Sequence, residues 1–315
     1  MGIFVTVFLS NDATAVVLTP AVYAVARAAK AEPLPYLLIC AFVANAASFV
    51  LPISNPANLV VFGSHMPPLS SWLAEFALPS ILAIAATFLA LRFSQRRWLR
   101  LEIASDVSVP VLSRAGLLAA FGIGLTAVAL MTASAFGWQL GFPTFLAGVL
   151  TALMVLLPKR QAPWGVLKDI SWSVLPLVAG LFVLVEGLAR TGVIAGVSDA
   201  LQAALQQAPA LTAGVAGGIT ALADNVMNNL PAGLIAGSVI SGAHAPPQIS
   251  GALLIGVDLG PNLSVTGSLA TILWLLALRR EGENIGAWRF LGLGAVVMPC
   301  ALLPALAILI LLRAQ

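Results

Sequence analysis

Charge is what this chain has least of: Asp, Glu, Lys and Arg together make up 9% of its 315 residues, against 60% hydrophobic. With a mean hydropathy of +1.02, that excludes a soluble globular domain and leaves a polytopic helical membrane protein. Cysteine is nearly absent too. Cys40 and Cys300 stand singly inside apolar segments, which excludes a disulfide framework or a metal cluster and reads as two buried, inert thiols. The only histidines, His65 and His244, fall in turns on what the topology below makes the outer side, and they form no metal pair. No cofactor is called for. The net charge of +3 comes from Lys and Arg gathered between apolar runs, so it reports orientation in a bilayer and gives no sign of a nucleic acid partner.

Apolar stretches run over 13–29, 36–64, 74–94, 115–134, 141–157, 173–189, 211–223, 229–242, 249–278 and 290–312. Only some reach the ~20 residues that a full crossing needs. Ten of the 15 basic residues lie in three clusters, Arg92/Arg96/Arg97/Arg100, Lys159/Arg160/Lys168 and Arg279/Arg280/Arg289, which the positive-inside rule assigns to the cytoplasm. With these fixed, 211–242 leaves from and returns to the outer face, and the segment before Arg27 and Lys30 dips in from the cytoplasm. The two halves are therefore expected to be inverted.

A repeated phrase supports the inversion. PANLVVFGS at 56–64 returns as PNLSVTGS at 261–268, with the shared frame NLxVxGS. Prolines at 52 and 56 break the span 36–64 near 52–58, and Pro261 breaks 249–278 near 259–262, since proline removes backbone donors. Asn58 and Asn262 are each expected just after a break, where an amide can cap the next half-helix or reach a ligand. Each break has a partner tip, at 10–14 and at 224–229, rich in Ser, Asn and Asp. Irregular backbone at membrane depth is tolerated only around a cavity or inside protein, which is how secondary transporters build a central site.

The expected architecture is thus an all-α polytopic membrane protein, an inverted-repeat secondary transporter with two re-entrant hairpins and two discontinuous helices. The first repeat covers 1–113, and the second covers 114–315 with its hairpin at 209–242. About a hundred residues of the second repeat precede its tip, but only nine precede the first tip. Met1 to Leu9 reads as the incoming arm of the first hairpin, being too short and too uncharged at its start for a signal peptide. The chain is accordingly expected to be an amino-terminally shortened form of a roughly 420-residue transporter.

Four carboxylates fall within apolar sequence: Asp12, Glu186, Asp224 and Asp258. A carboxylate at membrane depth is a functional candidate by default. Glu186 stands four before Arg190, the spacing of an ordinary helix ion pair. Asp12, Asp224 and Asp258 are expected to converge on one site and to include the proton carrier. No Lys or Arg lies near the tips, so a bulky anion has no partner there and a neutral or cationic solute fits better. Ser10, Asn11, Ser54, Asn55, Asn58, Asn225, Asn228, Asn229, Asn262, Thr266 and Ser268 supply hydroxyls and amides that suit a small polyhydroxy solute.

Four phrases, SNDATAVVLTP at 10–20, ISNPANLVVFG at 53–63, LADNVMNNLPAG at 222–233 and VDLGPNLSVTGSLATILW at 257–274, make the sequence resemble an arsenite/antimonite efflux permease of the ArsB type. That family lies within the ion transporter superfamily, which also holds dicarboxylate and citrate carriers. In the superfamily the tips carry a Ser-Asn-Thr motif; Ser10-Asn11 matches it, Asp12 replaces the Thr, and the second tip reads Asp224-Asn225-Val226. The resemblance implies export of trivalent arsenic or antimony by proton antiport across the bacterial cytoplasmic (inner) membrane, in some members with a soluble, arsenite-stimulated ATPase subunit. Two cysteines are too few for a three-thiolate site, so the neutral trihydroxide is the better-fitting substrate. A sodium-coupled dicarboxylate or other anion carrier of the same superfamily is the nearest alternative. A channel, or an intramembrane aspartyl protease built on Asp224 and Asp258, stands further off.

Overall fold

A computed structural model describes residues 2–63, 66–100, 104, 113–158, 162–169, 172 and 174–313. His65, Lys159 and Arg160 lie outside the described residues. Among those described, every regular element is a helix. In chain order they are α1 (Gly2–Phe8), α2 (Asn11–Ala13), a π-helical stretch Thr14–Leu18, α3 (Thr19–Ala28), α4 (Pro33–Ala46), a 3-10 turn Pro52–Ser54, α5 (Pro56–Phe62), α6 (Leu69–Ser94), a 3-10 turn Trp98–Arg100, α7 (Arg114–Ala135) and α8 (Gly141–Leu156). After the short α9 (Trp164–Asp169) come α10 (Val174–Arg190), α11 (Val193–Gln207), α12 (Pro209–Met227), α13 (Asn229–Gly242), α14 (Pro247–Leu259), a 3-10 turn Gly260–Asn262, α15 (Leu269–Arg280) and α16 (Ala287–Arg313).

By length and composition α6, α7, α12 and α16 can each cross a membrane, and α10 with α11 makes a fifth candidate bent by 68°. The outward faces of α8, α10 and α16 are apolar: Phe142, Phe145, Leu184 and Leu303 are all well exposed, as suits lipid contact. The protein is a multi-pass membrane protein. Because lipid-facing and core-facing sides are equally apolar, hydropathy could not tell them apart. Cys40 is buried as expected, but Cys300 stands on an exposed face of α16, a correction to the expectation of two buried thiols.

Outside the apolar stretches named from the sequence, 193–207 forms α11 against α12 and α13. Its polar residues find local partners: Ser198 Oγ donates to Ile194 O at 2.9 Å and Gln202 Nε2 to Ala243 O at 3.1 Å. Asp199, Gln206 and Gln207 further dilute its hydropathy. Nearby, Arg190 and Glu186 form the anticipated i,i+4 pair at 3.0 Å, well exposed.

Both long spans named from the sequence are interrupted. At about 1.5 Å per residue, α4 is roughly 21 Å long and α5 roughly 10 Å, short of the ~30 Å hydrocarbon core. The chain between them turns through 47–55, and α14 and α15 are likewise separated by 260–268. The packing of these pieces is matched. α12 lies on α14 and α13 on α5, while α1 lies on α4 and the π-helical stretch on α15; α6 packs on α16 between them. One buried cluster joins Leu91 of α6 to Trp274 and Leu278 of α15 and Phe290 of α16, so the basic residues near Arg92 and Arg279 gather at one end. A hydrogen bond from Ala104 N to Ala29 O, 2.8 Å, ties Lys30 to the same end.

Candidate functional site

The first break is closed by its own side chains. Pro52 and Pro56 leave carbonyls without helical donors, and the Asn58 amide answers them: Nδ2 donates to Ser48 O at 2.9 Å, Leu51 O at 3.3 Å and Pro52 O at 3.4 Å. Asn55 caps α5 by accepting from Ala57 N at 3.0 Å. Ser54 Oγ accepts from Leu51 N at 3.2 Å and donates to Val7 O at 2.9 Å, fastening α1 to the break. At the second break Ser268 caps α15, accepting from Thr271 N at 3.0 Å.

The repeated phrase therefore does not mark equivalent places. Asn58 lies inside α5, after its cap, whereas Asn262 lies in the 3-10 turn well before the cap Ser268. The expectation that both asparagines open a half-helix holds for Asn58 alone. The reason is local: one prolyl turn sits immediately ahead of α5, but the irregular stretch 263–268 intervenes before α15.

Between the breaks lies a buried polar group assembled from both broken helices and the α12–α13 hairpin. Asn55 Nδ2 donates to Asp258 Oδ1, Asn45 Nδ2 donates to Asn262 Oδ1 at 3.1 Å, and Ser268 Oγ donates to Asn45 Oδ1 at 3.4 Å. Asp224, on α12, is wholly buried, and α12 packs along α14, which carries Asp258. Gly260 lets this carboxylate come close, since a Cβ there would meet Asp224 Oδ2 at 2.5 Å. Several buried polar atoms in this group have no hydrogen-bond partner: Asn58 Oδ1, both oxygens of Asp224, Asn229 Oδ1, Asp258 Oδ2 and Asn262 Nδ2.

Around it runs a more exposed rim of hydrogen-bonded side chains. Asn225 Nδ2 donates to Ala221 O at 2.8 Å and Gly260 O at 3.1 Å, and its Oδ1 accepts from Ser264 Oγ at 2.7 Å. Thr266 Oγ1 donates to Asn225 O at 3.0 Å, and Asn228 Nδ2 to Thr266 O at 3.1 Å. Asn229 N completes the contact by donating to Gly267 O at 2.8 Å. The second tip thus meets the second break directly.

The first tip is separate. Ser10 Oγ accepts from Ala13 N at 3.1 Å and Asn11 Oδ1 from Asp12 N at 2.9 Å, both local caps, while Thr6 and Thr14 share a buried hydroxyl bond of 2.7 Å. Asp12 is half-buried on α2, which packs against α15 of the second broken helix. Tip and break of the second half touch through Asn225, with the Asp224 carboxylate packed at Gly260, two residues beyond Asp258. Sequence reading passed over Asn45, Ser48, Ser264 and Thr271. Asn45 was legible in principle, as an amide in apolar sequence just before a break, where the other span has Asp258. The larger cavities lie elsewhere: one of about 600 Å³ beside Leu18, Tyr36 and Phe88, and one of about 540 Å³ beside Leu59, Trp138 and Gln139. Asp224 and Asp258 line neither of these, and both are buried.

Helices broken in mid-span around buried amides and carboxylates define a membrane transporter, not an enzyme. Residues 1–278 match the family model described as Citrate transporter (CitMHS), and the chain belongs to that family. It is 28% identical over 312 residues to the Arsenical pump membrane protein of Yersinia enterocolitica, covering 95% of this chain and 72% of the relative. A protein of the same description from Escherichia coli is 28% identical over 319 residues, with the same coverage. An uncharacterized transporter of Synechocystis is 25% identical over 327 residues, covering 94% of this chain and 72% of the relative.

Proposed function

We propose that the chain exports arsenite or antimonite as the neutral trihydroxide, by proton antiport across a bacterial inner membrane. One observation carries the reading: the free buried atoms of the polar group are nearly all acceptors. The three carboxylate oxygens of Asp224 and Asp258 accept by nature, and Asn58 Oδ1 is fixed as an oxygen because its amide nitrogen serves three carbonyls. A solute carrying three O–H donors satisfies such a set. Citrate or another polycarboxylate would bring more acceptors and more negative charge to it, with no cation at hand: the basic residues named above that fall among the described ones are exposed.

The substrate contacts fall to Asn55, Asn58, Asn229, Asn262 and Ser268 inside and to Asn225, Asn228 and Thr266 at the rim, with Ser10, Asn11 and Ser54 holding the first tip and break. Asp224 and Asp258, with Asp12 as an outlying third, carry the proton coupling. The matched packing of the two broken helices supports repeats at 1–113 and 114–315 with opposite orientation, each with a re-entrant hairpin, moving by alternating access. A soluble ATPase subunit would meet the face that carries Arg92, Arg96, Arg97 and Arg100. The test is uptake into everted vesicles. Arsenite accumulation driven by an inside-acid gradient supports the reading; saturable citrate uptake that needs sodium, with no arsenite uptake, favours the anion carrier suggested by the family description.

A further inference from the structure

We infer that the two buried aspartates have different tasks: Asp258 is a fixed positioning residue, and Asp224 is the place where a proton and a substrate hydroxyl exclude one another. The inference rests on the functional reading above. Asp258 is engaged through one of its oxygens, with Oδ2 alone left free. Its Oδ1 accepts from Asn55, which itself caps α5, so this carboxylate ties the end of α14 to the start of the other broken helix. Ser48 stands beside it but gives its own proton to Asn45 O, 2.7 Å away.

Asp224 is the opposite case. It is placed firmly but left open. Its neighbour Asn225 is fixed to Gly260 O and Ser264, its carbonyl accepts from Asn228 N at 2.7 Å, and its side chain lies against Gly260, yet neither carboxylate oxygen has a donor. Position is thus set by backbone and neighbours, while the acceptors are unused. The ionisable groups on elements packed against α12 are Asp258 on α14, Asp199 on α11 and Arg289, Cys300 and Arg313 on α16, and of these Asp258 stands two residues before the Gly260 that the Asp224 carboxylate packs against. Since that neighbour is itself an acid, no cation compensates a bare charge at Asp224. A buried carboxylate in such surroundings carries a proton or takes hydrogen bonds from a ligand.

The exchange needs no other reactant. On the loading side the Asp224 carboxyl gives its proton to water as a substrate O–H donates to the freed carboxylate oxygen; no bond of the substrate is broken. On the other side the substrate leaves and a proton from water takes its place on the same oxygen. One carboxylate therefore serves both partners: the substrate O–H is held by the ionised carboxylate, the stronger acceptor, which protonation removes.

The test measures proton release on arsenite binding, in weakly buffered detergent solution near neutral pH, where arsenous acid itself is uncharged. Wild-type protein is expected to release protons as it binds. Asp224→Asn should bind roughly 10- to 100-fold more weakly, the loss of a hydrogen bond to a charged acceptor, and release none. Asp258→Asn, whose amide oxygen still accepts from Asn55, should still release protons. Should Asp224→Asn not fold, Asp224→Ser is read in the same way. Proton release that survives at Asp224→Asn, or is lost only at Asp258→Asn, overturns the division of tasks. Arsenite binding by wild type without any proton release overturns it too but leaves the substrate reading in place; wild type that binds citrate and not arsenite removes both.

Discussion

Asn45 and Asp258 occupy the same place in the two broken helices, each next to last in its first half, and each accepts from the residue that caps the other helix's second half. Ser268 Oγ bonds to Asn45 Oδ1 and Asn55 Nδ2 to Asp258 Oδ1. The four residues cross-link the breaks in a two-fold pattern. The pattern is symmetric in position and asymmetric in charge, an amide on one side and a carboxylate on the other. That asymmetry puts both members of the aspartate pair, Asp224 and Asp258, in the second half of the chain.

The two caps should differ in what they are worth. Asn55→Ala removes the cap of α5 and also the donor that Asp258 holds, leaving a buried carboxylate without a partner. Ser268→Ala removes a cap and a long neutral bond to Asn45. Cap loss costs about 0.5–2 kcal/mol in each case, and the orphaned carboxylate adds about 1–3 kcal/mol for Asn55. Thermal melting of the purified protein in detergent should place Asn55→Ala clearly below Ser268→Ala; equal melting points would mean that the Asn55–Asp258 bond adds nothing.

Asn58 and Asn262 look alike in the sequence and should behave differently. Replacing Asn58 by the similarly shaped Leu orphans the carbonyls of Ser48 and Pro52 together, at about 1–3 kcal/mol for each buried group left without a partner, while Leu51 O keeps its bond from Ser54 N at 3.0 Å. Asn262→Leu strands only the Asn45 amide. Folded yield by gel filtration should fall sharply for Asn58→Leu and modestly for Asn262→Leu. The reverse order would reassign Asn58 from closing the break to some other task.

That contrast shows where sequence was sufficient. The breaks were legible because proline removes donors wherever it stands, and the Glu186–Arg190 pair because four residues make one helical turn. Register across the second break was not. The likeness of NLxVxGS pairs Asn58 with Asn262, but cap for cap the structure pairs Asn55 with Ser268, at the same spacing that pairs Asn45 with Asp258. Short polar phrases recur for different reasons, since an asparagine can close a turn, cap a helix or wait for a ligand with the same atoms. The closeness of the second tip to its break through Asn225, and the folding of 193–207 into α11, depend on which surfaces meet, and hydropathy along one chain carries no record of that.

Gly260 offers a test of how closely α12 must approach the second break. An added Cβ would run into the Ala221 carbonyl and lie 2.7 Å from Ala221 Cα as well as against Asp224, so most of what it meets is backbone that cannot swing away. Gly260→Ala should cost about 1–3 kcal/mol by overpacking and displace the Asp224 carboxylate. Gly292→Ala, on α16 with open space where the Cβ would go, is the control and should melt like wild type. A neutral Gly260→Ala with unchanged transport would show that the 3-10 turn and α12 can separate without consequence.

Asn228 joins α12 to α13 as a single residue at φ 79° and ψ 153°, a region that is essentially glycine's. An asparagine there carries about 1–3 kcal/mol of backbone strain, which must be offset by what its side chain does. It accepts from Leu230 N at a long 3.4 Å and donates to Thr266 O at 3.1 Å. Asn228→Gly relieves the strain, loses only a few tenths of a kcal/mol as a cap and gives up about 1 kcal/mol in the bond to Thr266. Asn228→Ala loses both bonds and keeps the strain. The glycine variant should therefore melt at or above wild type and the alanine variant below it. If transport falls in the glycine variant while its melting point holds, the bond between the hairpin tip and Thr266 is needed for function; if both variants melt alike, the strain at this joint is not a significant part of the energy.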